Sequence, residues 1–224
     1  MSLNVTILRF PGTNCEFDTQ YAFEKLGAKT NIVWHKDHDL KNPDLVVVPG
    51  GFSYGDYLRS GSIARFSPVM NEVSAFAKKG GKVLGICNGF QILTESHLLP
   101  GALKRNENLH FISKYHRLKV VANDNAFLNG CAKNQILNVP IAHADGNYYA
   151  DEQTLKAMQD NDQILLQYCD ENGDIANPNG SVASIAGICN DAKNVFGLMP
   201  HPERAIENIL GSSDGVAMLE GFFK

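Results

Sequence analysis

No window of this chain approaches the roughly 20 consecutive apolar residues needed to cross a bilayer, which argues against a membrane-spanning segment. The amino-terminal run "MSLNVTILRFPG" is too short for a signal core and lacks both a basic start and a small-residue cleavage site. It reads instead as a first strand. Basic runs are also missing: 20 Lys and Arg face 24 Asp and Glu for a formal charge of -4. Nothing here would neutralise a phosphate backbone, so nucleic acid is not an expected partner. The five cysteines, at positions 15, 87, 131, 169 and 189, include no C-x-x-C pair, which argues against zinc and a disulfide framework and places the chain in a reducing cytoplasm. A phosphate-binding G-x-x-x-x-G-K-[ST] loop is absent as well, because "KKGGKVL" lacks both the spacing and the hydroxyl. Repeats, linkers and low-complexity tracts are lacking, and residues 1–224 are expected to form a single domain.

What remains is an ordinary globular composition, 44% hydrophobic and 20% charged. Over the first hundred residues, short β-branched runs alternate with amphipathic stretches, the rhythm of βαβ units and a parallel sheet. Val5 to Phe10 reads as a strand, followed by a helix with Phe17, Tyr21, Ala22 and Leu26 on its apolar face and Gly27 as its stop. "TNIVW" and "DLVVVPGG" follow as strands, the second apolar throughout as a strand covered on both faces should be. Ser67 and Pro68 predict the cap and first turn of a helix that buries Val69, Val73, Phe76 and Ala77 and stops at Gly80-Gly81. "KVLGI" and "NGFQILTES" make the next strand and helix. From Asn108 to Cys169 longer alternating strands predict antiparallel pairing around one helix, "DEQTLKAMQD". "SIAGICN" and "VFGLMPHPE" read as a hairpin, and "GVAMLEGFFK" as a last helix.

GICN occurs twice, around Cys87 and around Cys189. Cys87 lies between Gly85 and Gly89 at the meeting of a strand and a helix. This G-x-C-x-G is the thiol counterpart of the G-x-S-x-G elbow, in which glycines let strand and helix approach around a strained nucleophile facing a helix start. Cys189 is followed by Asp191 and no helix, and is expected to pack as a small hydrophobe. For a base, "GLMPHPERA" singles out His201: the flanking prolines predict an extended chain, which puts Glu203 on the same face as His201. Cys87, His201 and Glu203 then supply nucleophile, base and orienter. A rigid turn with a solvated acid is the other reading of "PHPE". The backbone N-H of Asn88, and a second from Gly50-Gly51 at the carboxyl end of a parallel strand, are candidate oxyanion donors, although the glycine pair is equally readable as a mere turn.

Together "PGG", "GICNGFQIL" and "MPHPE", in this order over most of the chain, resemble the class I glutamine amidotransferases. Within them, "FPGTNCEFD", "GGFSYGDYLRSG", "HADGNYY" and "MPHPER" look like the stand-alone glutaminase subunits that serve purine biosynthesis. The resemblance implies an α/β, three-layer, flavodoxin-like fold with a mostly parallel central sheet and additional antiparallel strands. It implies Cys87 as nucleophile, His201 as acid and base, Glu203 as orienter, Gly50, Gly51 and Asn88 around the oxyanion, and Gln91 holding substrate L-glutamine. No cofactor is implied in this chain. ATP and magnesium would be used by a large synthetase subunit, with a small bridging subunit completing the complex. The loop containing Tyr57 and Arg59 would sense that partner. The resemblance also leads one to expect Glu-Gly where this chain has Asp145-Gly146, and it leaves His143 either lining the glutamine pocket or structural. A glutaminase of another biosynthetic complex, a cysteine hydrolase or peptidase of related fold, and a non-catalytic regulatory subunit are the alternative readings.

Overall fold

A computed structural model describes residues 2–224. In chain order the elements are β1 (Asn4–Arg9), α1 (Glu16–Lys25), β2 (Lys29–Trp34), β3 (Leu45–Val48), α2 (Pro68–Lys78), β4 (Lys82–Ile86), α3 (Asn88–Glu95), β5 (Ala102–Lys104), β6 (Ile112–Val120), β7 (Ile136–His143), β8 (Asn147–Tyr149), α4 (Glu152–Asp160), β9 (Ile164–Cys169), β10 (Ile185–Cys189), β11 (Val195–Leu198) and α5 (Gly215–Leu219). Nine strands form one sheet in the order β2-β1-β3-β4-β11-β10-β9-β6-β7, and β5 pairs with β8 apart from it. Pairing is parallel from β2 to β11 and antiparallel from β11 to β7. The βαβ rhythm of the first half and the alternating strands of the second thus meet in a single mixed sheet. No helix among the described residues is long and apolar enough to cross a membrane.

The strands that read as wholly apolar are wholly buried: every residue of β3 is buried, and from Val83 onward so is β4. Apolar burial on both faces of the parallel half is what βαβ crossovers require. The β10–β11 hairpin forms with Cys189 opposite Phe196, leaving Cys189 fully buried in the core. The last helix is shorter than expected, since after Leu219 the chain tightens into a 3₁₀ turn over Glu220–Phe223.

Two local expectations need correction. The face of α1 turned to the core carries Glu16, Thr19, Ala22 and Phe23, whereas Phe17 and Tyr21 are exposed. Polar partners decide this: Glu16 is held by Arg9 at 2.9 Å, the Arg9 guanidinium also lies over the Phe17 ring, and the Tyr21 hydroxyl donates to Glu207 at 2.6 Å. Ser67 stands before α2 as expected, but its side chain makes no cap. Its hydroxyl is instead engaged with Tyr54 and His35, which ties α2 to the loop after β3.

Candidate active site

The carboxyl ends of β1, β3, β4 and β11 are neighbours in the parallel half of the sheet, and ligands of open α/β sheets bind beyond such ends. Each end delivers part of one cluster: Cys15 after β1, Gly50 and Gly51 after β3, Cys87 after β4, and His201 and Glu203 after β11. β7 lies at the far edge of the sheet, yet it returns over this crevice. The His201 N-H donates to the Pro140 carbonyl at 2.9 Å, and the Cys87 thiol is 3.7 Å from the Ala142 carbonyl oxygen.

Cys87 occupies the sharp turn between β4 and α3 with φ +51 and ψ -106, a conformation rare for a residue with a side chain. Its N-H is anchored on Leu198 O at 2.8 Å. Strain of this kind persists where surrounding packing enforces it, and the glycines show how. A Cβ on Gly89 would lie against the Val48 carbonyl, 2.6 Å from its carbon, and one on Gly85 would lie 2.8 Å from Gly89. Strand, turn and helix therefore approach in a way that side chains at 85 and 89 would forbid. Cys189 has the same two preceding residues, Gly187 and Ile188, but no such turn.

His201 and Glu203 are each 2% exposed, and the imidazole Nδ1 lies 2.7 Å from Glu203 Oε1. The route differs from the expected extended chain. Pro202–Arg204 form a 3₁₀ turn closed by Arg204 N-H on the His201 carbonyl at 3.1 Å, because the fixed φ of Pro202 suits a first helical position. Glu203 reaches back to His201 from that turn. The other ring nitrogen, Nε2, is buried without a hydrogen-bond partner, and His201 lines the same cavity of about 110 Å³ as Cys87. Burial disfavours the imidazolium, but the Glu203 carboxylate and the Cys87 and Cys15 thiols outweigh it, so His201 holds its proton well above the ordinary histidine range. The arrangement can keep an imidazolium beside a thiol and return its proton to a leaving group.

Gly51 turns back at φ +143 and bridges Thr13; a Cβ there would lie 2.7 Å from Asn14 N. A Cβ on Gly50 would lie 2.8 Å from His201 Cε1, so this glycine makes room for the imidazole. Asn88 and Gln91, on the first turn of α3, are spent on one another. Asn88 Nδ2 donates to Gln91 Oε1 at 2.9 Å, Asn88 Oδ1 accepts from Ser53 N-H at 3.0 Å, and Gln91 Nε2 donates to Asp145 O at 2.8 Å. Gln91 therefore braces the elbow against two loops, while also lining a small continuation of the cavity beyond Cys87. In the loop after β3, Tyr57 is exposed and Arg59 forks onto Glu95 at 2.6 and 2.7 Å.

Sequence reasoning passed over Cys15 and Arg204. Cys15 precedes α1, is 2% exposed, and accepts from Arg204 Nη2 at 3.2 Å, while the same guanidinium pairs with Asp18 at 2.8 Å. Cys15, His201 and Glu203 form the one grouping of candidate metal ligands among the described residues, their atoms within 4.8 Å. Burial raises the Cys15 thiol pKa. The available signal was positional: Cys15, like Cys87, follows a parallel strand and precedes a helix.

Residues 2–215 match the family described as the CobB/CobQ-like glutamine amidotransferase domain. The chain is 66% identical over 223 residues to phosphoribosylformylglycinamidine synthase subunit PurQ of Sulfurimonas denitrificans, covering 99% of this chain and 100% of that one. With the PurQ subunit of Campylobacter jejuni it shares 62% identity over 220 residues, 98% of this chain and 96% of the other. Among solved structures, PurLQS from Thermotoga maritima superposes with a TM-score of 0.89 at 38% identity, over 100% of this chain and 98% of that one.

Proposed function

This chain belongs to the glutamine amidotransferase family, and from that premise we propose that it is the glutaminase subunit of phosphoribosylformylglycinamidine synthase. It hydrolyses L-glutamine to glutamate and ammonia and delivers the ammonia to a synthetase subunit, which converts formylglycinamide ribonucleotide to formylglycinamidine ribonucleotide in purine biosynthesis. The observation that carries the reading is the meeting, in one cavity, of the strained Cys87 elbow with the buried His201–Glu203 pair. Residues 1–224 act as one glutamine amidotransferase domain in the cytoplasm.

Cys87 thiolate attacks the carboxamide carbon of glutamine, and the C=O electron pair moves onto oxygen, facing the N-H groups of Gly51 and Asn88. Collapse of this tetrahedral species breaks the C-N bond, and the proton held by His201 goes to the departing nitrogen, which leaves as ammonia. The acyl group stays on Cys87 as a thioester. Neutral His201 then takes a proton from water, the hydroxide equivalent attacks the thioester, and glutamate leaves with Cys87 restored. Glu203 keeps the imidazole oriented and stabilises its cationic form throughout. In this reading ATP and magnesium are used by the synthetase. The partners are that large subunit and a small bridging subunit, in keeping with the PurLQS complex of Thermotoga maritima.

The test uses the assembled complex with two nitrogen donors. Cys87→Ala should abolish amidine formation from glutamine and leave formation from ammonium salts intact. Loss of neither would reject Cys87 as nucleophile, and a wild-type complex that makes the amidine from neither donor would reject the function.

A further inference from the structure

Beyond Cys87 the cavity continues between the loop after β3 and the turn after β7, and the side chains that line this end offer acceptors rather than donors. Asp145 Oδ2 accepts from Ser60 Oγ at 2.8 Å, but its Oδ1 is buried with no hydrogen-bond partner. The nearest cation, Arg105 Nε, stands 3.8 Å away on a side chain that is 77% exposed. Asp56 lines the same space from a backbone at φ +53, with a long 3.4 Å contact from Asn88 Nδ2 and the Ser60 hydroxyl beside it. Burial and the facing Asp145 carboxylate push its pKa up to about 6.

His143 completes this end. Its tautomer follows from Asn106, whose Nδ2 donates to the His110 and His143 carbonyls at 2.8 and 2.9 Å. Asn106 Oδ1 must then be the acceptor for Gly146 N-H and for His143 Nδ1, at 3.0 and 3.1 Å. Burial and the neighbouring His201 lower the His143 pKa to about 4, so its ring is neutral and Nε2 carries a lone pair. That nitrogen is buried without a partner, on a residue only 3% exposed.

Two carboxylates and an imidazole lone pair, whose one nearby cation is the solvent-exposed Arg105 outside the cavity lining, suit a positively charged group with several N-H donors. Asp56, Asp145 and His143 do not converge as a metal-ligand group does; the one such grouping among the described residues is Cys15, His201 and Glu203. That wider spacing favours an ammonium, whose acceptors stay about 2.8 Å away, over a metal ion, which draws its ligands to about 2.1 Å. Resting on the glutaminase reading above, we propose that Asp145, supported by Asp56 and His143 Nε2, binds the α-ammonium of glutamine and so selects an amino-acid amide over a simple amide. A substrate held at Cys87 by its carboxamide carbon has its ammonium four bonds away, toward this end of the cavity. The α-carboxylate, on the same carbon, is repelled from this wall and is turned away from it, which orients the amino-acid end of glutamine.

The experiment compares L-glutamine with glutaramate, the same molecule without the α-amino group, in the assembled complex. Asp145→Asn should lower kcat/KM for glutamine by about 10- to 100-fold, mainly through KM, as expected for a lost hydrogen bond to a charged group. It should leave glutaramate within about threefold of wild type, and Asp145→Glu should restore most of the preference. Asp56→Asn, on a more exposed loop, should give the same pattern in weaker form and serves if the first variant fails to fold. Equal losses on both substrates would overturn the assignment. A wild-type complex that hydrolyses neither substrate would overturn the glutaminase reading itself, and this assignment with it.

Discussion

Gly89→Ala isolates the geometry that makes Cys87 different from its twin. The added methyl would lie against the carbonyl of Val48, 2.6 Å from the carbonyl carbon and 3.1 Å from Val48 Cβ. Ordinary carbon contacts begin near 3.5 Å, so the start of α3 must retreat from the end of β3 by about 1 Å. Val48 immediately precedes the Pro49-Gly50-Gly51 turn, so the retreat separates the N-H of Asn88 from that of Gly51. A displacement of that size costs about 100-fold in a positioned reaction, and overpacking of this kind costs about 1–3 kcal/mol of stability. For a chain of this length that lowers Tm by roughly 2–12 °C. Gly80→Ala is the control: it imposes a left-handed strain, at φ +87, that Gly89→Ala does not, but a Cβ there meets nothing within 4 Å and lies away from the cavity. Glutaminase kcat in the complex and thermal unfolding of both variants decide the matter. Gly80→Ala should lose a few degrees and no activity, whereas Gly89→Ala should lose both. A Gly89→Ala enzyme whose kcat stays within about threefold of wild type would refute the view that close approach at the elbow positions the reaction.

Two further outcomes follow from thiol environments and from the paired carboxylates. A glutamine analogue carrying an electrophilic ketone should label Cys87 in peptide mapping and leave Cys189 untouched, since Cys189 is fully buried and its thiol pKa is pushed up to about 11 by that burial; labelling of Cys189, or of Cys15 in place of Cys87, would contradict the assignment. Asp56 ionises only as the pH rises through about 6, above the ordinary aspartate range, so its folded form loses stability between about pH 4 and pH 6 and does not regain it above. Asp56→Asn should therefore raise Tm at pH 8 and change it little at pH 4, and an equal shift at both would show that neither burial nor the facing Asp145 disfavours the Asp56 carboxylate.

What could be read from the sequence was whatever neighbouring residues determine. The alternation of apolar runs located the parallel half, the hairpin and the helix starts, and the two glycines around Cys87 marked the elbow. Expectations failed where distant segments competed for a residue. Phe17 and Tyr21 have helical spacing with Ala22, but Arg9 and Glu207 hold them at the surface. Ser67 has the chemistry of a cap, but Tyr54 and His35 engage it first. The proximity of His201 and Glu203 was expected, although it is a 3₁₀ turn rather than an extended chain that achieves it. Asp56 carried no local signal, and the position of Cys15 between a strand and a helix and of Asp145 beside Gly146 did not reveal their roles, because their meaning depends on three loops brought together by the order of strands in the sheet.

That order also bears on the repeated GICN. Both copies end a β-strand, β4 for the first and β10 for the second. β4 runs parallel to β3 and β11, so Cys87 emerges at the edge where Gly51 and His201 also emerge. β10 runs antiparallel to β11, and this reverses it relative to the whole parallel half. Cys189, at its carboxyl end, therefore points to the opposite edge of the sheet, where its N-H and carbonyl are occupied by Gln163. Even with a glycine at 191, the second copy would face the wrong edge. The elbow supplies strain and exposure of a nucleophile, but strand direction decides whether any base can meet it.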